Sequence, residues 1–568
     1  MGWDEGQGAA MQGDFDLVIS SGSVVDGTGR PRFEADVGVR DGRIAAVALP
    51  GALSGRRTID AKGRAVAPGF VDIHSHADWV LPLPDHEEIL APMLRQGVTT
   101  LVVGNCGHSL APLTDASEPL VEGSSEILRD RTFPYAWRST AEMLDTLEAG
   151  GLALNAAFLA GHGTLRQAVM GNDAAAPDRT QLEEMRRLTR QSLREGVFGL
   201  SAGLAYTPGV FAKADELTAL CGVVAEEGAI FTVHGRAYTW VSPFYKPMLL
   251  PPAHNVRSVD ELLSVARQSG AKLQLSHQIF IGRRTWRTHR TVLEHIDEAA
   301  SSGVDVAFDA FPYTAGNTTI NAILPAWVLD RFRERIRDPK ILKRLRREFA
   351  MFRFALGLDW PDITVLWGGG PAELAAFEGM NLEQIAQRLG VEPFDAYVHV
   401  ARESDGHARV LIGTYSGDGE HEEPLRAVLS HRLCAFETDT ILVRRGRHNP
   451  ASFGTFPRVL GRYQRELGLF SLEEAVRRMT SFPAERIGLP GVGRIVPGNA
   501  ADLVLFDPAT VGDSGGGLGA EPGLPGGAPI VGTDAPRGID KVLIGGQVVV
   551  DGGEVVRGPR RGRLLRRR

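Results

Sequence analysis

Eight short apolar runs between residues 66 and 490, each followed by a loop and in most cases by an amphipathic helix, limit the fold more than any other feature. They read AVAPGFVDI, TTLVVGN, NAAFLAG, VFGLSAG, AIFTVHG, KLQLSHQ, DVAFDAF and LCAFETD. Helical patterns such as DRTQLEEMRRLTRQSLREG and VDELLSVARQSG lie between them. Alternating strands and helices bury both faces of a parallel sheet, and eight units close it into an α/β (β/α)8 TIM barrel. A doubly wound open sheet is the competing arrangement, but no Gly-rich phosphate fingerprint follows an early strand. The first run, Val66–Ile73, is read as the first barrel strand.

Both ends of the chain are written differently. FDLVISSGSVVDG and ADVGVRDGRIAAV near the start, and ADLVLFD and KVLIGGQVVVDGGEVV near the end, are short alternating strands with tight-turn signals. They predict a small β-sandwich from residues 15–66 and 490–556, flanking a barrel over 67–489. The helical, basic ILPAWVLDRFRERIRDPKILKRLRREFAMF interrupts the repeat and predicts an inserted subdomain over about 317–372. Residues 1–14 are expected to be disordered, and DSGGGLGAEPGLPGGAP to be a flexible loop. The tail 557–568, with seven arginines, is expected to be solvated and disordered.

Composition excludes some partners. Of 568 residues, 43% are hydrophobic and 23% charged, a globular balance, and the net charge of −7 argues against a nucleic-acid partner. No run approaches the roughly 20 apolar residues that span a bilayer, so no membrane partner is expected. The first residues lack the charged and apolar regions of a signal peptide. Three cysteines are too few and too odd for a disulfide framework, which suits a cytoplasmic protein. Assembly into a homo-oligomer is left open.

Reactive residues of a barrel sit where its strands end. The predicted strands end at His74 and His76, Cys106, His162, His234, His277 and Asp439, the ligand vocabulary of a borderline metal. In a strand, positions 74 and 76 share a face, so two imidazoles could meet one ion. Each residue has a plainer alternative: a turn histidine, a buried thiol at Cys106, a satisfied core imidazole, a helix cap at Asp439. Their joint arrival at successive strand ends favours ligation.

The stretches PGFVDIHSHAD, QGVTTLVVGNCGHSLAP, GHGTLR, FGLSAGLAYTPG, FTVHGR, LQLSHQ, FPYTAGNTT, ETD, FGTFPRVLGRY and GVGRIVPGNAADLVLFDP occur in the order seen in N-acyl-D-amino-acid deacylases (D-aminoacylases). From about residue 15 to 556 the chain resembles that family of the amidohydrolase superfamily. The resemblance implies a deacylase that cleaves a small-molecule amide with metal-activated water, using one or two zinc ions per chain. It implies that Cys106, His234 and His277 hold a tight zinc. His74, His76 and Asp439 would form a weaker position that Cys106 bridges, with Asp439 as catalytic acid/base. His162, which binds substrate or positions a loop, Arg236, Tyr313 and His448 are candidate substrate-binding residues.

The substrate end departs from that pattern. Relatives carry lysine in an S-H-x-K arrangement where this chain has Ile279, and a carboxylate-binding arginine where it has Pro450. The acidic residue after H-x-R is replaced by the aromatic, Pro-rich AYTWVSPFYKPMLLPPAHN. A less charged amide than a free N-acyl-D-amino acid is therefore expected. A cyclic amide hydrolase is a second reading, weakened because those relatives bridge their metals with lysine rather than cysteine. A non-catalytic binding barrel is a third, weakened by the intact ligand set.

Overall fold

The computed structural model describes residues 11–246, 251–329, 331–513 and 536–568. Eight parallel strands follow one another around a barrel: β1 Phe70–Asp72, β2 Val98–Val103, β3 Asn155–Gly161, β4 Gly199–Gly203, β5 Ile230–His234, β6 Lys272–Leu275, β7 Val306–Ala310 and β8 Cys434–Phe436. Alternation sorts their side chains. Leu101, Phe158, Leu200, Phe231, Leu273 and Phe308 pack outward in the main core, while Val71, Val102, Ala157, Leu159 and Ala435 share a separate cluster within the barrel. Between β8 and β1 no regular ladder forms. Just beyond both strands, His76 N donates to Thr440 O at 3.0 Å and Asp439 N to His74 O at 3.1 Å. The buried Asp72 carboxylate accepts from Thr438 N at 3.1 Å and Thr438 Oγ1 at 2.6 Å. These bonds close the seam.

The run Val66–Ile73 is not one strand. Ala65–Pro68 pairs antiparallel with Leu503–Phe506 in the terminal sheet, and only Phe70–Asp72 enters the barrel. Gly69 divides them, because a Cβ there would lie 2.1 Å from Thr99 Oγ1. One continuous apolar pattern thus serves two sheets, which periodicity cannot separate. The terminal sheet has nine strands and joins Leu17–Val24, Phe33–Arg40 and Arg43–Ala48 to Ile539–Ile544, Gln547–Asp551 and Glu554–Val555. A two-stranded sheet lies beside it, pairing Met11–Phe15 with Leu53–Gly55. Order therefore begins within the segment expected to be disordered, whose first ten residues lie outside the described ones. The expected flexible loop lies outside them too, except Asp513.

The insertion between β7 and β8 reaches further than 372. Gly316–Thr319 and Ile363–Trp367 both pair antiparallel with Arg409–Ile412, which lies between them. Helix Pro339–Leu356 starts on the Asp338 cap, with Pro339 in its first turn, and stops at the left-handed Gly357. Phe349, Val365, Phe394 and Tyr397 give the insertion a core of its own. The later helices, Leu382–Leu389 and Pro393–Glu403, look in sequence like any other barrel helix, which hid their allegiance.

The arginine-rich tail is ordered, against expectation. Leu564–Leu565 runs parallel to β3, and Leu565 joins the cluster within the barrel. Arg563 Nη2 meets Asp502 at 2.9 Å, Arg566 reaches Asp145 and Glu148, and Arg560 reaches Glu87. The exposed pairs contribute little. Burial of Leu565 and the strand bonds offset the cost of ordering. Deleting residues 557–568 is expected to cost about 2–4 kcal/mol, visible as a lower melting temperature; an unchanged melt would show the tail to be dispensable. Among the described residues all three cysteines are free and buried, and no helix is long and apolar enough to cross a membrane.

Candidate metal centre

The site grows from strand ends. After β2 the chain turns through Gly104-Asn105-Cys106-Gly107, and Cys106 takes a φ of 53° that L-residues rarely adopt. The turn is packed backbone to backbone. A Cβ on Gly104 would lie 2.3 Å from Leu159 O, and one on Gly203 would lie 2.0 Å from Cys106 O. Asn105 Nδ2 ties the turn to Ser75 O and Val102 O at 3.3 and 3.0 Å. His277 (φ 31°) and Asp439 (φ 46°) are held in the same disfavoured region, and such residues cluster at functional sites.

These turns bring distant residues together. Cys106 Sγ lies 3.4 Å from His74 Nε2, 3.7 Å from His234 Nδ1 and 3.8 Å from His277 Nε2. His234 Nδ1 and His277 Nε2 are 2.8 Å apart. Asp439 Oδ1 lies 3.6 Å from Nε2 of both His74 and His76. The donors form three overlapping sets: His74, His76 and Cys106; Cys106, His234 and His277; His74, His277 and Asp439. His74, His76, Cys106, His234 and His277 are buried, whereas the Asp439 side chain is 19% exposed and faces the mouth.

Burial favours the neutral forms of the groups around the site. Burial, then the neighbouring imidazoles, push His74 and His234 well below the ordinary histidine range, and burial lowers His277. Neutral imidazoles present lone pairs. Burial and the nearby carboxyls of Asp439 and Asp309 push the Cys106 thiol up. Burial also lifts Asp72, Asp78 and Asp309 to about 7, and burial and the charge of nearby Asp439 raise Glu437. So many buried acids are costly without a counter-charge. The donors suit zinc in kind: Zn–S of about 2.3 Å and Zn–N of about 2.05 Å in a tetrahedron put S···N near 3.6 Å and N···N near 3.3 Å, beside 3.7 and 3.8 Å for Cys106 with His234 and His277 and a closer 2.8 Å between the two imidazoles.

The other four predicted residues are engaged elsewhere. His162 Nε2 meets Glu216 Oε1 at 2.7 Å, bracing helix His162–Met170 against Ala214–Glu226. Arg236 forks onto Glu261 and donates to Val210 O and Ala212 O. The Tyr313 hydroxyl lies 3.4 Å from Asp513 Oδ2, with the Arg458 guanidinium over its ring. His448 Nε2 lies 2.6 Å from Val443 O.

Three neighbours escaped the sequence reading. The Tyr206 ring stands 4.6 Å from His234, and the Tyr238 ring 5.0 and 5.2 Å from His234 and His277. Tyr206 lies in the stretch FGLSAGLAYTPG and Tyr238 near the start of the aromatic insertion, but neither was picked out as a site residue. Asp309 did carry a signal: an acid within the apolar run VAFDAF, on an inward position of a strand.

A closed parallel barrel with Cys, His and Asp donors gathered at its strand ends has the architecture of a metal-dependent amidohydrolase. Two amidohydrolase family models match residues 57–338 and 414–549. N-acyl-D-glutamate deacylase of Alcaligenes xylosoxydans xylosoxydans is 35% identical over 98% of this chain and 98% of its own. D-aminoacylase of the same organism is 32% identical over 88% and 90%. The crystal structure of N-acyl-D-glutamate deacylase from Bordetella bronchiseptica, complexed with zinc and a phosphonate mimic of the tetrahedral intermediate, superposes with a TM-score of 0.76. It is 31% identical and covers 98% of this chain and 100% of its own. The chain belongs to the D-aminoacylase family of amidohydrolases, hydrolases of non-peptide carbon–nitrogen bonds.

Proposed function

We infer that this chain is a zinc-dependent deacylase, releasing a carboxylic acid and an amine from a linear N-acyl substrate of D-amino-acid type whose amine half carries little charge. The convergence of Cys106, His234, His277, His74, His76 and Asp439 at the barrel mouth supports it most directly. Cys106, His234 and His277 would hold one ion, and His74, His76 and Asp439 a second that shares Cys106. Zinc bound there supplies Lewis acidity and lowers the pKa of its water to roughly 7. Asp439, the donor open to the mouth, takes a proton on its carboxylate during attack and hands it to the departing nitrogen. Tyr206 and Tyr238 wall the His234–His277 side and limit water there. The free cysteines and the absence of a membrane-crossing helix among the described residues fit a cytoplasmic small-molecule enzyme.

The uncharged amine half rests on what surrounds Ile279. It is buried in one apolar cluster with Tyr238, Val241, Phe311 and Tyr313. Two of the cations that could have compensated are paired, Arg236 with Glu261 and Arg283 with Asp362, while Arg447 gives its Nε to Glu378 O and keeps a buried Nη1 without a partner among the described residues. A carboxylate placed there forgoes charge-assisted bonds of about 1.5–3 kcal/mol each and pays desolvation. We expect kcat/KM for the neutral methyl amide of N-acetyl-D-methionine to exceed that for the free acid by about tenfold or more, one lost charged bond being worth that much. Preference for the free acid rejects the substrate assignment and leaves the metal centre untouched.

A further inference from the structure

Asp309 is buried on β7 and belongs to none of the three donor sets. Its Oδ1 accepts from the backbone N–H of His277 at 2.6 Å, and the same oxygen lies 3.7 Å from Nδ1 of His74. That nitrogen is on the far side of the ring from Nε2, which faces Cys106 and Asp439. One carboxylate oxygen therefore fixes the backbone of one predicted ligand and stands behind the ring of another. At 3.7 Å the second contact is electrostatic rather than a hydrogen bond. It favours the His74 tautomer with its proton on Nδ1, leaving the Nε2 lone pair toward the centre.

The second oxygen shows that an acid is required. Gln274 Nε2 donates to Asp309 Oδ2 at 2.7 Å, while Arg486 Nε donates to Gln274 Oε1 at 3.3 Å. Arg486 thereby fixes which way the Gln274 amide faces. Both oxygens of residue 309 meet donors, one a backbone N–H and one an amide N–H. An asparagine that keeps its oxygen on His277 turns an NH2 group against the NH2 group of Gln274. The backbone bond also bears on His277, whose φ of 31° is one that side chains rarely adopt.

We propose that Asp309 is a positioning residue for the metal centre, holding His277 by its backbone and His74 by its ring so that both present their Nε2 atoms to zinc. This rests on the zinc reading above. Outer carboxylates behind ligating histidines typically change metal affinity 10–100-fold. The test is competition for zinc against a chromophoric chelator, using the full chain as wild type, Asp309→Asn and Asp309→Glu, with absorption spectra of the cobalt-loaded forms. Asp309→Asn is expected to bind zinc 10–100-fold more weakly, to shift the cobalt bands, and to recover most of its kcat at saturating zinc. Unchanged zinc affinity and cobalt spectrum in either folded variant overturn the proposal while leaving the metal centre standing. Failure of both variants to fold assigns Asp309 to the fold alone and overturns it equally. A wild-type chain that takes up no zinc overturns the reading of the centre, and the proposal with it.

Discussion

Asp439→Asn retains the fold and its zinc and loses about a thousandfold or more in kcat, within the range of a lost general acid/base. The substitution isolates proton transfer because the backbone tolerates it. Residue 439 sits at φ 46°, and asparagine is among the few side chains at ease there. Its N–H bond to His74 O, which helps close the barrel seam, is unaffected. The amide keeps an oxygen that can face His74 and His76 but cannot take up a proton at neutral pH. Thermal melting and the zinc held by Cys106, His234 and His277 should match wild type while turnover collapses. Near-normal turnover would remove Asp439 from the reaction.

Cys106→Ser should do comparable damage by another route. Cys106 stands in two of the three donor sets, so its loss touches both predicted metal positions. A serine hydroxyl occupies nearly the same volume, but its proton is far harder to remove than a thiol's. Zinc affinity is expected to fall by more than about a hundredfold, beyond what an outer partner accounts for. Stability follows, since a ligand that binds only the folded state stabilises it in proportion to its affinity. Stripping zinc from wild type should lower its melting temperature, and Cys106→Ser should melt near the stripped wild type whether or not zinc is added. A variant that keeps full zinc content and wild-type melting would show that the sulfur is not a ligand.

The eight strands were legible because each pairs an apolar run with a turn, and local chemistry states both. The donor residues were legible for a related reason: a histidine or cysteine at the tip of a buried strand is out of place unless something there needs it. What escaped were matters of allegiance. Val66–Ile73 reads as one strand, and only the pressure of Thr99 against position 69 divides it. Leu382–Leu389 and Pro393–Glu403 have the patterning of barrel helices, and only the strand Arg409–Ile412 assigns them to the insertion. Arg236 and His448 carry chemistry suited to substrate, yet Glu261 and Val443 O had already claimed them, and such partners lie beyond the reach of a linear reading. The tail misled because arginine counts say nothing of the two leucines among them.

Those leucines also govern the order in which the molecule can be finished. Ala156 and Ala157 on β3 lie beside Leu564 and Leu565, so during synthesis that edge stays bare while roughly 400 further residues emerge, a situation that favours aggregation of nascent intermediates. Until Leu564 and Leu565 emerge, the barrel stands with that part of β3 uncovered, and protection by a chaperone would matter most at that moment.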